Sequence, residues 1–514
     1  MGKKIFTAVL ALVLAAMTAF GGAGKYAPYF GASSAEAAAK KIFSPEYAIP
    51  VASPGSDAIV AKIADMRSFV KIMPYVSSFL QAASGDVLPM AGLRLNRGDI
   101  ADWFSFFRRT DAFWDAADSA AVRVTPGGGF YASFSVDGKK FDKFAASGPM
   151  KLEKWDGAKV SSGADAWILK SSQPEIAEER FYMTRWSAGE RDAVYVASGA
   201  EEIGEMTEAA NDSEKRLSVT RLTEGENFVA MNLVKPMEMN GLLLNKAETS
   251  WSVKGNELAI RSYSDMYEPI ASRLAGRAFS PGAAPMLGDG EAVFFASVDP
   301  AFCFSVMFPT EPDPIKKVVE LSGIGPNYRA LFEGILRNCR ISAVAVDKGQ
   351  TLDAAYLLVE SEARGELEIL PEILYTLAKV MFAGLEEVSI QLEDWNVAIG
   401  LKLDPQFNVI MAWREGMLLL GIGETASFGK KAVVSVAVPP PDASRVLALT
   451  SSPRILEVKP PGLEETLRDL IEKYLAKQNM PEAFRDTAWL DKIGRLDFAH
   501  YLGGNSEINI TFKE

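Results

Sequence analysis

The sequence predicts an α+β protein of two tandem, similar domains, each an antiparallel sheet with helices packed on one face. Three observations lead there. At 514 residues the chain is well past the roughly 250–300 at which a single core stops growing. Its strand-like segments alternate apolar and polar residues, which marks sheets with one buried and one wetter face. The same order of local patterns also recurs on both sides of a stretch rich in Gly, Pro and Ala, Gly276 to Gly290.

At the amino terminus, Met1-Gly2-Lys3-Lys4 precedes sixteen uncharged residues, Ile5 to Phe20. This is the build of a cleaved secretory signal. The run is shorter than the roughly 20 residues a spanning helix needs, and small residues follow it rather than a second basic flank. Ala35-Glu36-Ala37 matches the small-x-small rule, so the expected signal peptide is 1–37, with Ala19-Phe20-Gly21 as the alternative cut. No cysteine precedes Cys303, so none lies near the cut to carry a lipid.

Cleavage removes Lys3, Lys4, Lys25 and Glu36, moving the formal charge from −12 to −14. Such an acidic surface repels a phosphate backbone, so nucleic acid is not an expected partner, and solubility is its simplest role. With 48% hydrophobic and 23% charged residues, the composition is globular rather than disordered or fibrous. The best later apolar run, Ile369 to Leu385, is broken by Glu372 and Lys379, so no stable membrane span is expected after signal cleavage. The expected location is the periplasm or outside the cell.

Gly276 to Gly290 reads as a linker, dividing the mature chain into domains 38–275 and 291–514. Four patterns recur in order. Each half has an alternating strand entering a hairpin turn at Val-Asp, YASFSVDGKK from Tyr131 and ISAVAVDKGQ from Ile341. Next comes an apolar strand ending in glycine before a helical start, at Gly199 and Gly423. A strand closed by proline and followed by an apolar helical segment is third, at Pro236 and Pro441. A terminal hairpin is last, turning at Gly255 and at Gly503 or Gly504. Helical stretches are expected over Ser68 to Ser84, Ile315 to Leu336, Leu367 to Leu385 and Leu463 to Gln478.

These units, repeated in two halves behind a signal peptide, resemble exported bacterial proteins classed as domains of unknown function. The resemblance implies export and duplication, and it carries no catalytic residues over.

Asp102 to Asp118 reads as a helix loaded with Trp103, Phe104, Phe106, Phe107, Phe113 and Trp114. A core plug is the first reading. The alternative is an apolar groove, for which Phe104, off the main stripe, is the candidate exposed aromatic. Cys303 and Cys339 are candidates for a disulfide in an oxidising compartment, with two buried thiols as the alternative.

Much chemistry is excluded. His500 is the one histidine and has no GxSxG elbow beside it, so it is expected as a surface or half-buried strand residue. One histidine and two distant cysteines do not make a zinc site, and neither a calcium loop nor a phosphate loop occurs. Gly127-Gly128-Gly129 and Gly421-Ile422-Gly423 read as turns and close backbone approaches. No catalytic residue, metal or cofactor is therefore named.

The function expected is an exported, non-enzymatic binding or interaction protein of the bacterial envelope, with an envelope protein or an apolar ligand as partner in a cleft between the halves. The alternatives are a carboxylate-based hydrolase, which needs two facing acids, one with a raised pKa, and a structural envelope component.

Overall fold

The structure, a computed structural model, describes residues 47–50, 58–64, 66, 111–124, 130–147, 151–155, 165–170, 180–188, 191–217, 227–239, 241–275, 287–349, 351–361, 364–381, 386–390, 392, 395–402, 408–423, 428, 444–459, 464–477 and 491–513. The expected signal peptide, the helix over Ser68 to Ser84, the glycines Gly127 to Gly129, and Pro441 lie outside them. The protein is mixed helix and antiparallel sheet. It divides into two compact units, residues 1–252 with 260–266, and 253–259 with 267–514.

The first unit opens with β1 (Ala58–Ile63), β2 (Ala117–Val124) and β3 (Phe130–Val136), each antiparallel to the next. A second run follows: β4 (Lys151–Lys154), β5 (Asp165–Lys170), β6 (Arg180–Ala188) and β7 (Arg191–Ala197). Its last strand returns beside β3, pairing Tyr131 with Ala197 and Val136 with Asp192. Then β8 (Asn227–Met239) joins the other side, beside β1, and continues into β9 (Leu242–Lys254) and β10 (Glu257–Ser264). The hydrogen-bonded order is β10-β9-β8-β1-β2-β3-β7-β6-β5-β4.

Helices cover both faces of this sheet, not the single face expected. Ala132, Phe134 and Val136 of β3 and Val194 and Val196 of β7 meet Phe113 of α1 (Asp111–Ala116) and Phe141 and Phe144 of α2 (Gly138–Ser147). The opposite face, with Tyr131, Ala193, Tyr195, Ala197 and Phe228, is covered by Ile203, Met206, Ala209 and Ala210 of α3 (Ala200–Asn211). The cause lies in the composition of β7. Its Ala193 to Ala197 are apolar at every position, and such a strand needs cover on both sides. Phe113 stands edge-on to Phe134, ring centroids 4.9 Å apart, which agrees with the core-plug reading for this part of the aromatic stretch.

Two local expectations fail here. Val136-Asp137-Gly138 is no hairpin turn: the Asp137 carboxylate accepts from the backbone N–H of Lys139 (3.0 Å) and Lys140 (3.2 Å) and starts α2. Nor does Pro236 close a strand. It lies inside β8, in the irregular stretch between the pairs Asn232–Lys246 and Met237–Leu244, where the ladder skips and a missing N–H is tolerated. The apolar residues after it form β9 rather than a helix.

In the second unit, α4 (Glu268–Leu274) precedes β11 (Glu291–Val298). Three helices follow: α5 (Pro300–Met307), α6 (Pro314–Leu321) and α7 (Pro326–Arg337). Each begins with proline at its first position, after Asp299, Asp313 and Gly325. The single helix expected over Ile315 to Leu336 is thus two, parted at Gly323 (φ +75°) and Pro326.

Next come β12 (Cys339–Asp347), β13 (Leu352–Ser361), α8 (Arg364–Met381), β14 (Glu387–Ser389), β15 (Val397–Lys402), β16 (Asn408–Arg414) and β17 (Met417–Gly423). The expected hairpin after Val346 forms, turning at Gly349 (φ +66°). The chain closes with β18 (Arg445–Ser451), α9 (Leu467–Lys477), β19 (Ile493–Tyr501) and β20 (Asn505–Phe512), the last two turning at Gly504 (φ +80°). The strand order is β20-β19-β18-β11-β12-β13-β17-β16-β15-β14.

Again both faces are buried. Val344, Tyr356, Leu358, Ile410 and Leu419 pack on one, and Leu418 and Met411 meet Ile335, Leu367 and Leu370 of α7 and α8 on the other.

The Asp299 side chain accepts from the N–H groups of Ala301 (2.9 Å) and Phe302 (3.4 Å). Asp299→Ala is expected to lower stability by about 1 kcal/mol in urea unfolding, and Asp299→Asn to change it far less, because asparagine caps as well.

Candidate functional site

One face of the second sheet changes character along its length. Val344 and Val346 on β12, Leu358 on β13 and Ile410 and Ala412 on β16 are apolar and buried together. Period two carries that same face to Ser342 and Arg340 on β12, Glu360 on β13 and Arg414 on β16. Glu360 stands in register with Arg340 on one side and Met417 on the other, and Arg414 lies beyond Met417. Arg340 and Glu360 are each 5% exposed.

The Arg340 guanidinium donates to the Arg445 carbonyl, and the Ser342 hydroxyl donates to Ser297 Oγ at 3.1 Å. Arg414 lies over the Trp395 ring, 5.1 Å from its centroid, and its Nε and Nη2 reach Met417 Sδ at 3.2 Å. A thioether is a weak acceptor. Burial lifts the Glu360 carboxyl from 4.5 to about 6, with Arg340 and Arg414 pulling it back. Its Oε2 is buried and has no hydrogen-bond partner among the described residues.

This group can exchange a proton near neutral pH. Its register neighbours are Arg340 and Met417, a cation and a methionine, and two-acid hydrolysis would need a second acid facing it.

In the first unit, Arg123 is also 5% exposed, donates to the Pro50 carbonyl at 2.9 Å and lies over Tyr131. The Tyr131 hydroxyl donates to Glu205 Oε2 at 2.7 Å. This chain ties residues 47–50 and α3 to the sheet, a structural role.

The residues singled out in the sequence fall as follows. His500 is buried, not on the surface or half-buried, because Tyr267 and Phe302 close over its ring. Cys303 and Cys339 are thiols in the structure. Cys339 sits in the apolar cluster of Ile335, Leu367 and Leu370, whereas Cys303 lies on α5. Burial pushes the Cys303 thiol up to about 11, which makes it unreactive at neutral pH. Phe104 lies outside the described residues. Gly421 is a close approach as expected, since a Cβ there would stand 2.8 Å from the Phe428 ring.

Sequence reasoning missed Glu360, one of 66 acidic residues, since nothing local marks it. It also missed the apolar residues exposed on the helical layer: Met307 ends α5, Leu321 ends α6, Tyr328 is in the first turn of α7 and Ile369 is on α8. These helices touch in succession, α5 with α6, α6 with α7 and α7 with α8. Among the described residues no group of three or more His, Cys, Asp or Glu could hold a metal, and no helix is long and apolar enough to cross a membrane.

The raised Glu360 pKa means that the folded state holds its proton more tightly than the unfolded chain does. Its favourable contribution is complete below 4.5 and lost as pH rises through 6. Relative to Glu360→Gln, the wild type is therefore expected to lose about 2 kcal/mol of stability between pH 4 and 7 in urea unfolding. Intact mass after alkylation in denaturant without reductant is expected to show both cysteines modified; a mass two hydrogens lighter with no adduct would indicate a disulfide instead.

No family model and no curated protein matches the chain. Among solved structures, crystal forms of TP0453 are similar in part. Form III is 11% identical with a TM-score of 0.23, covering 42% of this chain and 80% of that one. Form IV is 11% identical with a TM-score of 0.24, covering 47% and 87%. Form I is 8% identical with a TM-score of 0.24, covering 43% and 78%.

Proposed function

We propose that the chain is an exported, non-enzymatic binding or interaction protein of the bacterial envelope, built from two copies of one folding unit, with an apolar ligand or an envelope protein as partner. What carries the binding reading is that each of the four helices α5 to α8 exposes an apolar side chain. Leu321 is 65% exposed and Ile369 54%, on helices that touch in succession. Exposed apolar groups gathered on neighbouring elements mark contact surfaces more often than isolated ones do.

The two-copy reading draws on strand order. Adding ten to each strand label of the first unit turns its order into that of the second, at all ten positions. Helices fall in the same connections, α2 after β3 as α8 after β13, and α3 after β7 as helical Phe428 after β17. Among the described residues the second unit departs between β18 and β19, inserting a 3-10 turn (Pro453–Glu457) and α9 where β8 and β9 join by a tight turn at Gly241 (φ +80°). On this reading the strand from Tyr131 corresponds to β13, not to the strand from Ile341 with which its sequence pattern was matched.

The test is native mass spectrometry of protein purified from its own envelope, wild type beside Leu321→Glu/Ile369→Glu. Both positions are exposed, so the double variant is expected to fold. A bound species carried by the wild type and at least 10-fold depleted in the variant is the expected result. No bound species on either, together with turnover of glycoside or ester substrates lost in Glu360→Gln, would overturn the reading in favour of a hydrolase.

A further inference from the structure

We propose that His500 is an acid-released latch that holds α5 and Tyr267, at the start of α4, against β19. The imidazole is 7% exposed. Its ring centroid lies 4.9 Å from Tyr267, edge-on, and 5.1 Å from Phe302 on α5, and those two rings are 5.9 Å apart. His500 Nδ1 and the Ser506 hydroxyl share a hydrogen bond of 2.5 Å across to β20. The remaining nitrogen, Nε2, is buried with no hydrogen-bond partner among the described residues.

The neutral ring suits this place, since one nitrogen is satisfied and the other lies against apolar surface. The imidazolium does not. Protonation puts an N–H on both nitrogens, leaving one buried donor without an acceptor and a charge without a counter-ion among the described residues. The ionisable groups on the surrounding elements are Tyr267, Glu268 and Arg273 at α4, Asp299 and Cys303 at α5, Arg445 on β18, Arg495, Asp497 and Tyr501 on β19 and Glu507 on β20. Tyr267 meets the imidazole through its ring, and burial is the cause that holds the His500 pKa down, at about 4.

Opening α5 away from β19 lets water reach the ring, which then takes its proton at the ordinary value of 6.5. Because the folded pKa is depressed, the closed state binds fewer protons than the open one, and opening becomes easier as pH falls below 6.5. From pH 7.5 to pH 5 the opening constant rises about 30-fold.

Hydrogen exchange on the full chain, read by mass spectrometry and corrected for the intrinsic pH dependence of amide chemistry, tests this. The amides of α5 and of residues 267–270 are expected to show the 30-fold rise in opening while those of α3, in the first unit, do not. His500→Gln and His500→Phe are each expected to remove it, so either variant suffices if the other does not fold, and Ser506→Ala is expected to keep it. An unchanged rise in the histidine variants, no rise in the wild type, or an equal rise in α3 would overturn the latch.

Discussion

Each unit depends on one non-local contact, the return of a strand to pair with one four strands earlier in the chain. β7 comes back beside β3, and β17 beside β13. The returning strands are apolar at nearly every position, so the pairing puts them in the middle of the sheet, where both faces can be covered. Val194 and Val196 then face one helical layer while Ala193 and Tyr195 face the other. Leu418 and Leu419 divide the same way in the second unit. Burial of a large apolar side chain contributes roughly 1.5–3 kcal/mol, so a central strand covered on one side alone would forgo much of its stabilisation.

The local chemistry of the fold was legible in the sequence where it is self-contained. The hairpins at Gly255, Gly349 and Gly504 turn at glycines with positive φ, and turn and strand pattern agree there. Asp137-Gly138 misleads because aspartate serves both tight turns and helix caps. The helical spacing of Phe141 and Phe144, both buried against Phe113, is the signal that decides between them. Pro236 misleads because an interrupted ladder admits a proline that a regular one rejects. The candidate site was not legible: Glu360 and His500 owe their burial to strands and helices distant in sequence.

Those two buried groups pull the second unit in opposite directions. Glu360 is best accommodated as a neutral acid, below 4.5, and His500 as a neutral base, above 6.5. No pH satisfies both fully, because the first is desolvated beside guanidinium groups and the second among aromatic rings. Of the two, only His500 touches the three-helix stretch between β11 and β12, through Phe302 on α5, and Glu360 lies on the sheet face of Tyr356 and Leu358.

Cysteine cross-linking across the returning strands measures the central contact most directly, in a chain with Cys303→Ser and Cys339→Ala. The pairs are Ser133/Tyr195 and Phe134/Val194 in the first unit, and Leu357/Leu420 and Leu358/Leu419 in the second, each directly opposed in register. At least one of the two adjacent pairs in each unit is predicted to form a disulfide on mild oxidation of the folded protein. Cross-linking in one unit with none in the other would contradict a shared strand order, and none in either would contradict the fold itself.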